Sequence, residues 1–154
     1  MSYSTVVPSK DGVALMRSQF VEQVKRHEGL RLKPYKDTVG KLTIGYGRNL
    51  DDVGISKDEA EMMLLHDLAI ARDELIRRYP IVLELNKPRQ EALTNMCFNM
   101  GIARLSKFKK MWEAIARNDF NWAADEMLDS LWADQVGKRA EELSDIMATG
   151  EYPS

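Results

Sequence analysis

The feature that most constrains this fold is an uninterrupted helical pattern of about 24 residues between Ser56 and Pro80. Its apolar residues recur at helical spacing on one side: Ala60, Met63, Leu64, Leu68, Ala71 and Leu75. Ser56 and Glu59 form a capping-box pattern at its start. At 1.5 Å per residue the helix would span roughly 36 Å, about the width of a small domain. A helix of this length can bridge two lobes, and we predict it over 56–79.

Helical patterns also lie on both sides of this long helix. Apolar spacing predicts a first helix over about 11–28, with a break near Ser18 and with Gly29 as its C-cap. Residues 1–10 precede it as an arm. Later helix starts or ends are predicted at Pro88, Gly101, Ser106, Asp119 and Gly137.

Residues 30–50 form the one convincing β region. The tetrapeptide 37–40, Asp-Thr-Val-Gly, predicts a hairpin turn, and residues 41–44 predict a strand. Gly45 and Gly47 indicate bends or a close approach of the backbone to another group. A mostly helical chain with one small β segment predicts an α+β fold.

Charge and composition exclude several classes of protein. The 154 residues carry a formal net charge of −2, which does not favour nucleic-acid binding by the chain as a whole. The first 50 residues are nevertheless basic, which favours either an anionic polymer as ligand or an ordinary solvated surface. No stretch reaches the roughly 18 apolar residues of a membrane helix. The single Cys97 excludes an intrachain disulfide. With no recognisable secretory signal, we expect the protein to reside in a reducing cytoplasm.

Three polar residues in and beside the β region are candidates for chemistry. Glu28 ends the first helix, Asp37 starts the hairpin turn, and Thr43 lies in the next strand. A helix end that faces a hairpin can hold two carboxylates across a cleft, as glycoside hydrolysis requires. A threonine hydroxyl beside them can position a water molecule. Taken alone, this spacing is equally compatible with solvated acidic residues.

Several short blocks resemble those of the phage-type lysozymes, glycoside hydrolase family 24, which include the endolysins of T-even phages. They are HEGLRLKPYKDT at 27–38, TIGYG at 43–47, DEAE at 58–61, NMCFNMG at 95–101, SLW at 130–132 and KRA at 138–140. They follow the family's order from about residue 20 to residue 152. The first block alone is quite specific, and the ordered set is more so.

The resemblance implies catalytic roles for the three polar residues. Glu28 matches the family's general acid, Asp37 its second carboxylate, and Thr43 the residue that helps to hold the attacking water. The implied reaction is hydrolysis of the β-1,4 bond between N-acetylmuramic acid and N-acetylglucosamine in peptidoglycan, with inversion at the anomeric carbon.

The resemblance also implies substrate-binding residues. Asn99 matches a cleft position where relatives often carry Gln, and Arg139 matches an arginine that pairs with the catalytic Glu. Tyr46, in the TIGYG block, is a further candidate. Arg48 stands where relatives carry a His, and we expect it to pair with Asp67 on the long helix.

The implied fold is a single lysozyme-like domain over 1–154. A small lobe at about 29–56 is joined by the connecting helix, about 56–79, to a helical lobe. The helical lobe comprises about 80–154 together with the N-terminal helix. This chain departs from the T-even enzymes in its N-terminal extension, a shorter segment after Gly47 and a slightly acidic total charge.

The implied biology is host-cell lysis. The expected partner is peptidoglycan, with no cofactor, no metal, no nucleic acid and no stable membrane association. We expect a monomer that stays in the host cytoplasm until a holin-like pore releases it to the periplasm and cell wall. The alternative is a catalytically inactive lysozyme fold that only binds peptidoglycan or a partner protein.

Overall fold

The computed structural model describes residues 6–154 and divides the chain into two compact units, Met1–Ala60 and Glu61–Ser154. It is 64% helical with one small antiparallel sheet, which confirms the predicted α+β class. Among the described residues, no helix is both long and apolar enough to cross a bilayer. Residues 1–5 of the predicted arm lie outside the described part of the chain.

The first unit begins with two helices, α1 (Lys10–Ala14) and α2 (Ser18–Glu28). The predicted break near Ser18 is confirmed, because Arg17 just before it has an extended backbone with ψ 141°. Gly29 closes α2 with a φ of 72°, and its N–H donates to the carbonyl of Lys25. Glu28 is therefore the last residue of the helix, as predicted.

The first unit also contains a sheet of three antiparallel strands, β1 (Arg31–Lys36), β2 (Leu42–Gly45) and β3 (Arg48–Asn49). The hairpin turn between β1 and β2 lies at the predicted place. Arg31 is paired with Gly45 across β1 and β2. Because β1 follows α2 after two residues, this register places the β2–β3 turn beside the end of α2.

The predicted long helix is α3 (Lys57–Arg78), with 22 residues. Its capping box is formed, since the Glu59 N–H donates to Ser56 Oγ and the Ser56 N–H donates to Glu59 Oε1. Of its residues only Ala71 and Leu75 are buried. The predicted apolar side therefore reaches the core only in the second half of the helix.

Arg48 forms an ion pair with Glu59, so the prediction that it pairs with Asp67 is wrong. Its two terminal nitrogens donate to the two carboxylate oxygens at 2.8 and 2.7 Å, and one also donates to the carbonyl of Gly54. The capping box explains this choice, because it holds the Glu59 carboxylate at the start of α3. The bidentate geometry then suits a planar guanidinium.

The second unit is helical. A 3₁₀ turn (Pro80–Glu84) follows α3, and six helices come after it: α4 (Lys87–Met100), α5 (Ile102–Leu105), α6 (Lys109–Ala116), α7 (Phe120–Leu128), α8 (Leu131–Val136) and α9 (Lys138–Thr149). Gly101 and Asp119 end and cap helices as predicted. Ser106 caps the end of α5 and lies three residues before the start of α6.

The apolar core lies in the second unit, among residues 71–147. Leu93, Met96 and Met127 are among its fully buried side chains. The ring of Tyr79 stacks on that of Trp112 with centroids 3.7 Å apart. Cys97 is buried among these apolar residues, and its burial raises the pKa of its thiol, so it packs as a small hydrophobe.

Candidate active site

Glu28 is exposed at the C-terminal end of α2, and its carboxyl group reaches the β2–β3 turn. Oε2 lies 3.0 Å from the point where a Cβ atom on Gly47 would be. Helix end and turn meet here because Gly29 and Leu30 lead directly into β1. The Glu28 carboxyl group therefore contacts the turn at a glycine, Gly47, which has no side chain.

The Asp37 carboxylate is fixed by the turn that it begins. Oδ1 accepts the N–H groups of Val39 and Lys41 at 3.0 and 2.8 Å, and the Asp37 N–H donates to the Lys41 carbonyl. Oδ2 accepts no hydrogen bond from the described residues. One oxygen thus orients the side chain, and the other remains available to a ligand.

Thr43 is the single buried residue in the described part of the first unit, with 4% of its surface exposed. Its hydroxyl donates to the carbonyl of Lys41 at 2.9 Å, so its oxygen remains able to accept. Asp37 faces Lys41 in the hairpin, and Thr43 is two residues further along the same strand. Since side chains alternate along a strand, Asp37 and Thr43 project from one face of the sheet.

Tyr46 forms the middle of the β2–β3 turn and is exposed. The ammonium group of Lys25, on α2, lies 5.7 Å from the centroid of its ring. An exposed aromatic ring with a cation nearby is a surface on which a sugar can stack. Of the six candidate residues, this ring, Glu28, Asp37 and Thr43 belong to the first unit.

Asn99 and Arg139 belong to the second unit. The Oδ1 atom of Asn99 accepts a hydrogen bond of 2.7 Å from the indole nitrogen of buried Trp132. The amide nitrogen of Asn99 donates no hydrogen bond to the described residues. The side chain therefore combines a structural contact with a donor that is available to a ligand.

Arg139 begins α9 and is exposed. It lines a cavity of about 270 Å³ together with Glu91, Asn95, Glu142 and Tyr152. Burial, with a further contribution from the negative charge of Glu91, raises the pKa of the Tyr152 hydroxyl. No ion pair joins Arg139 to another described residue of its unit.

The same cavity contains the side-chain amide of Asn95, which is not among the residues predicted from the sequence. The Oδ1 atom of Asn95 is buried and accepts no hydrogen bond from the described residues. An unpartnered buried acceptor is uncommon and marks a place where a donor is expected. The sequence does place Asn95 four residues before Asn99 on the same helix, and this spacing puts the two amides on one face of α4.

The chemistry that this arrangement allows is acid–base chemistry. The Glu28 carboxylate lies at a helix end beside the β2–β3 turn, and the Asp37 carboxylate and the Thr43 hydroxyl lie on the β1–β2 hairpin of the same unit. Among residues 6–154 no group of three or more His, Cys, Asp or Glu side chains is arranged to hold a metal ion. The carboxylates themselves are the groups that could transfer protons.

The model of the family described as phage lysozyme matches residues 25–145, which include all six candidate residues. The chain belongs to the phage lysozyme family. This match confirms the predicted resemblance. It also confirms, at the level of the family, the prediction of a lysozyme-type enzyme.

Similar proteins include lysozymes, an endolysin and a spike protein. Pre-baseplate central spike protein Gp5 of Enterobacteria phage T4 is 32% identical, over 86% of this chain and 28% of its own length. Probable T4-type lysozyme 2 of Dictyostelium discoideum is 30% identical, over 88% of this chain and 96% of its own length. An endolysin of Acyrthosiphon pisum secondary endosymbiont phage 1 is 31% identical, over 75% of this chain and 80% of its own length. The chain thus spans about a quarter of the spike protein and nearly all of the Dictyostelium lysozyme.

Proposed function

We propose that this protein is a muramidase that cleaves the β-1,4 bond between N-acetylmuramic acid and N-acetylglucosamine in bacterial peptidoglycan. The observation that carries the proposal is that the matched family region contains Glu28, Asp37 and Thr43 on one small sheet unit. A helix-end acid and a turn-bound carboxylate are the two groups that glycoside hydrolysis requires.

In this proposal Glu28 protonates the glycosidic oxygen as the bond to the anomeric carbon breaks. A water molecule donates one hydrogen bond to Oδ2 of Asp37 and another to the Thr43 oxygen. Its lone pair then attacks the anomeric carbon, and Asp37 takes up the proton that the water loses. The water's oxygen becomes the new hydroxyl group at that carbon, and the leaving sugar takes the proton of Glu28.

The geometry of the β1–β2 turn supports the roles of Asp37 as base and of Thr43 as the residue that holds the water. Two backbone N–H groups bind Oδ1 of Asp37, and the hydroxyl proton of Thr43 is directed to the Lys41 carbonyl. Diagonal neighbours in an antiparallel pair lie about 7–8 Å apart, which leaves room for one water between their side chains. We propose that Asn99, Tyr46 and Arg139 contact or orient the substrate, since each presents an exposed polar or aromatic group.

The proposed biological role is host-cell lysis by an endolysin that acts as a monomer. In this role the enzyme waits in the host cytoplasm until a holin-like pore releases it to the wall. The similarity to an endolysin supports this role, whereas the similarity to a spike protein favours an enzyme carried by the virion and used at entry.

The direct test is Glu28→Gln, assayed by the loss of turbidity of chloroform-treated Gram-negative cells. The amide keeps the shape of the side chain but has no acidic proton. General acid catalysis contributes roughly a hundredfold to ten-thousandfold, so lysis should almost vanish while the melting temperature is unchanged. Glu22→Gln, on the exposed surface of the same helix, is the matched control and should remain active.

Two outcomes would contradict the proposal. Retention of more than about a tenth of wild-type activity by Glu28→Gln would remove the general acid assignment. An inactive wild-type protein that still sediments with peptidoglycan would instead identify a binding module with a lysozyme fold.

A further inference from the structure

The β2–β3 turn contains two glycines in the same backbone region. Ile44 is paired with Arg48, so Gly45, Tyr46 and Gly47 make the connection. Gly45 has a φ of 71° and Gly47 a φ of 91°, values that L side chains rarely adopt. Backbone strain alone would therefore disfavour a side chain at both positions.

The surroundings of the two glycines differ. A Cβ atom added to Gly45 would meet nothing within 4 Å. A Cβ atom added to Gly47 would lie 3.0 Å from Oε2 and 3.6 Å from the carboxyl carbon of Glu28. The space beside Gly47 is thus occupied by the carboxyl group, and that beside Gly45 is open.

We propose that Gly47 is a positioning residue for the Glu28 carboxyl group, because its missing side chain leaves the space in which that carboxyl group is held. The inference rests on the proposed role of Glu28 as general acid. Glu28 is the exposed end of a flexible side chain, so a methyl group at position 47 displaces the carboxyl group at little cost in folding. Displacement is more damaging to catalysis, because a misplacement of about 1 Å can cost a hundredfold in rate.

The test compares Gly47→Ala with Gly45→Ala, which also places a side chain at positive φ but makes no contact with Glu28. Both variants should lose thermal stability, because each places a Cβ atom at positive φ. On a soluble peptidoglycan oligomer, Gly47→Ala should lower kcat by about tenfold to a hundredfold with KM nearly unchanged. Gly45→Ala should keep its kcat per folded molecule.

A spectroscopic measurement tests the contact independently of activity. With the side-chain carboxyl carbons of Glu labelled with ¹³C, the Glu28 resonance is identified by its loss in Glu28→Gln. This resonance should move in Gly47→Ala and stay in place in Gly45→Ala. An unmoved resonance, or equal kcat in the two alanine variants, would overturn the positioning role.

If the alanine variants fail to fold, two further sets of variants still test the contact between Gly47 and Glu28. Asparagine tolerates positive φ better than alanine, so Gly47→Asn and Gly45→Asn repeat the comparison with less strain. If both variants at position 47 unfold, folding of the double variant Gly47→Ala/Glu28→Ala supports the contact, and failure of that variant to fold contradicts it. An active Glu28→Gln protein would refute the proposed function, while the resonance shift would still report the contact.

Discussion

Asn99 makes a structural contact through its oxygen, and we propose that its nitrogen binds substrate. Its oxygen accepts from the indole of Trp132, which is 2% exposed and packs edge-on against Phe108. A buried donor that loses its acceptor costs roughly 1–3 kcal/mol. The nitrogen of the same amide is the group that can contact a substrate carbonyl.

We predict that Asn99→Ala and Asn99→Asp differ in stability. The alanine variant leaves the Trp132 N–H unpaired and should lose roughly 1–3 kcal/mol in urea unfolding. The aspartate variant keeps an acceptor and should stay close to wild type, but it lacks the NH₂ donor and should raise KM. Equal KM values for wild type and Asn99→Asp would exclude a binding role for this nitrogen.

Arg139 should matter more to catalysis than to folding. It is exposed and forms no ion pair with another described residue of its unit, so Arg139→Ala removes little packing and no salt bridge. We predict a change below about 0.5 kcal/mol in the free energy of unfolding and a clear loss of lytic activity. Arg104→Ala, an exposed arginine that donates to Gln135, is the control and should stay active. Destabilisation of Arg139→Ala without loss of activity would show a structural role instead.

At the scale of elements, the ion pair between Arg48 and Glu59 ties β3 to the start of α3. The hydrogen bond from Arg48, together with that from the Ser56 backbone, lowers the pKa of Glu59 from 4.5 to about 2. Both side chains are more than a third exposed, so solvent screening limits the contribution to roughly 1 kcal/mol or less.

This pair should give the protein a defined pH dependence. Because the pKa of Glu59 is lower in the folded state, its contribution is complete above about pH 5 and is lost as the pH falls from 4.5 toward 2. We predict that Glu59→Gln is less stable than wild type at pH 7 and that the difference disappears near pH 2. Urea unfolding across this range measures it, with Asp58→Asn as the neighbouring control. A difference that persists at pH 2 would exclude the ion pair as its source.

The elements that could be predicted from sequence are those with strong local signals. The long apolar repeat and capping box of α3, the turn at Asp37 and the closing glycines at 29 and 101 act within a few residues of chain. The strand β1 lies inside the predicted β region, but its bounds could not be predicted, because Pro34 cannot donate to a ladder and the burial of the strand does not alternate. The partner of Arg48 was also missed, because a long side chain can reach several acidic residues and tertiary geometry selects one.

The candidate site could be predicted only in part, because tertiary geometry decides which groups its side chains contact. The motif HEGLRLKPYKDT identifies Glu28 and Asp37 by type and order, and the structure adds which oxygen of Asp37 is bound. The glycine at 47 was predicted to allow a close approach, but sequence alone cannot say that Glu28 is the group that approaches. The unpartnered oxygen of Asn95 depends on burial, which no local pattern reports.

At the scale of the whole molecule, the two units have different interiors. The buried apolar residues lie at positions 71–147, whereas Thr43 is the only buried residue among those described in the first unit. Hydrogen bonds order the first unit instead, including those to Asp37 and one from the Leu42 N–H to Asp51. The candidate catalytic groups are thus held by turns and strand pairs, which fix direction with little apolar packing.

The anomeric form of the first product distinguishes direct attack by Asp37 from attack by water. A carboxylate that attacks the sugar directly retains the anomeric configuration, while a carboxylate that activates water inverts it. Thr43 has little purpose in direct attack, and its free acceptor together with Oδ2 of Asp37 suits a water. We therefore expect the β-linked substrate to release the α-anomer first. Proton NMR of a peptidoglycan oligomer digest, recorded before mutarotation, measures this, with Asp37→Asn as an inactive control. An initial β-anomer, or a glycosyl ester trapped on Asp37, would make Asp37 a nucleophile and would remove the water-holding role of Thr43.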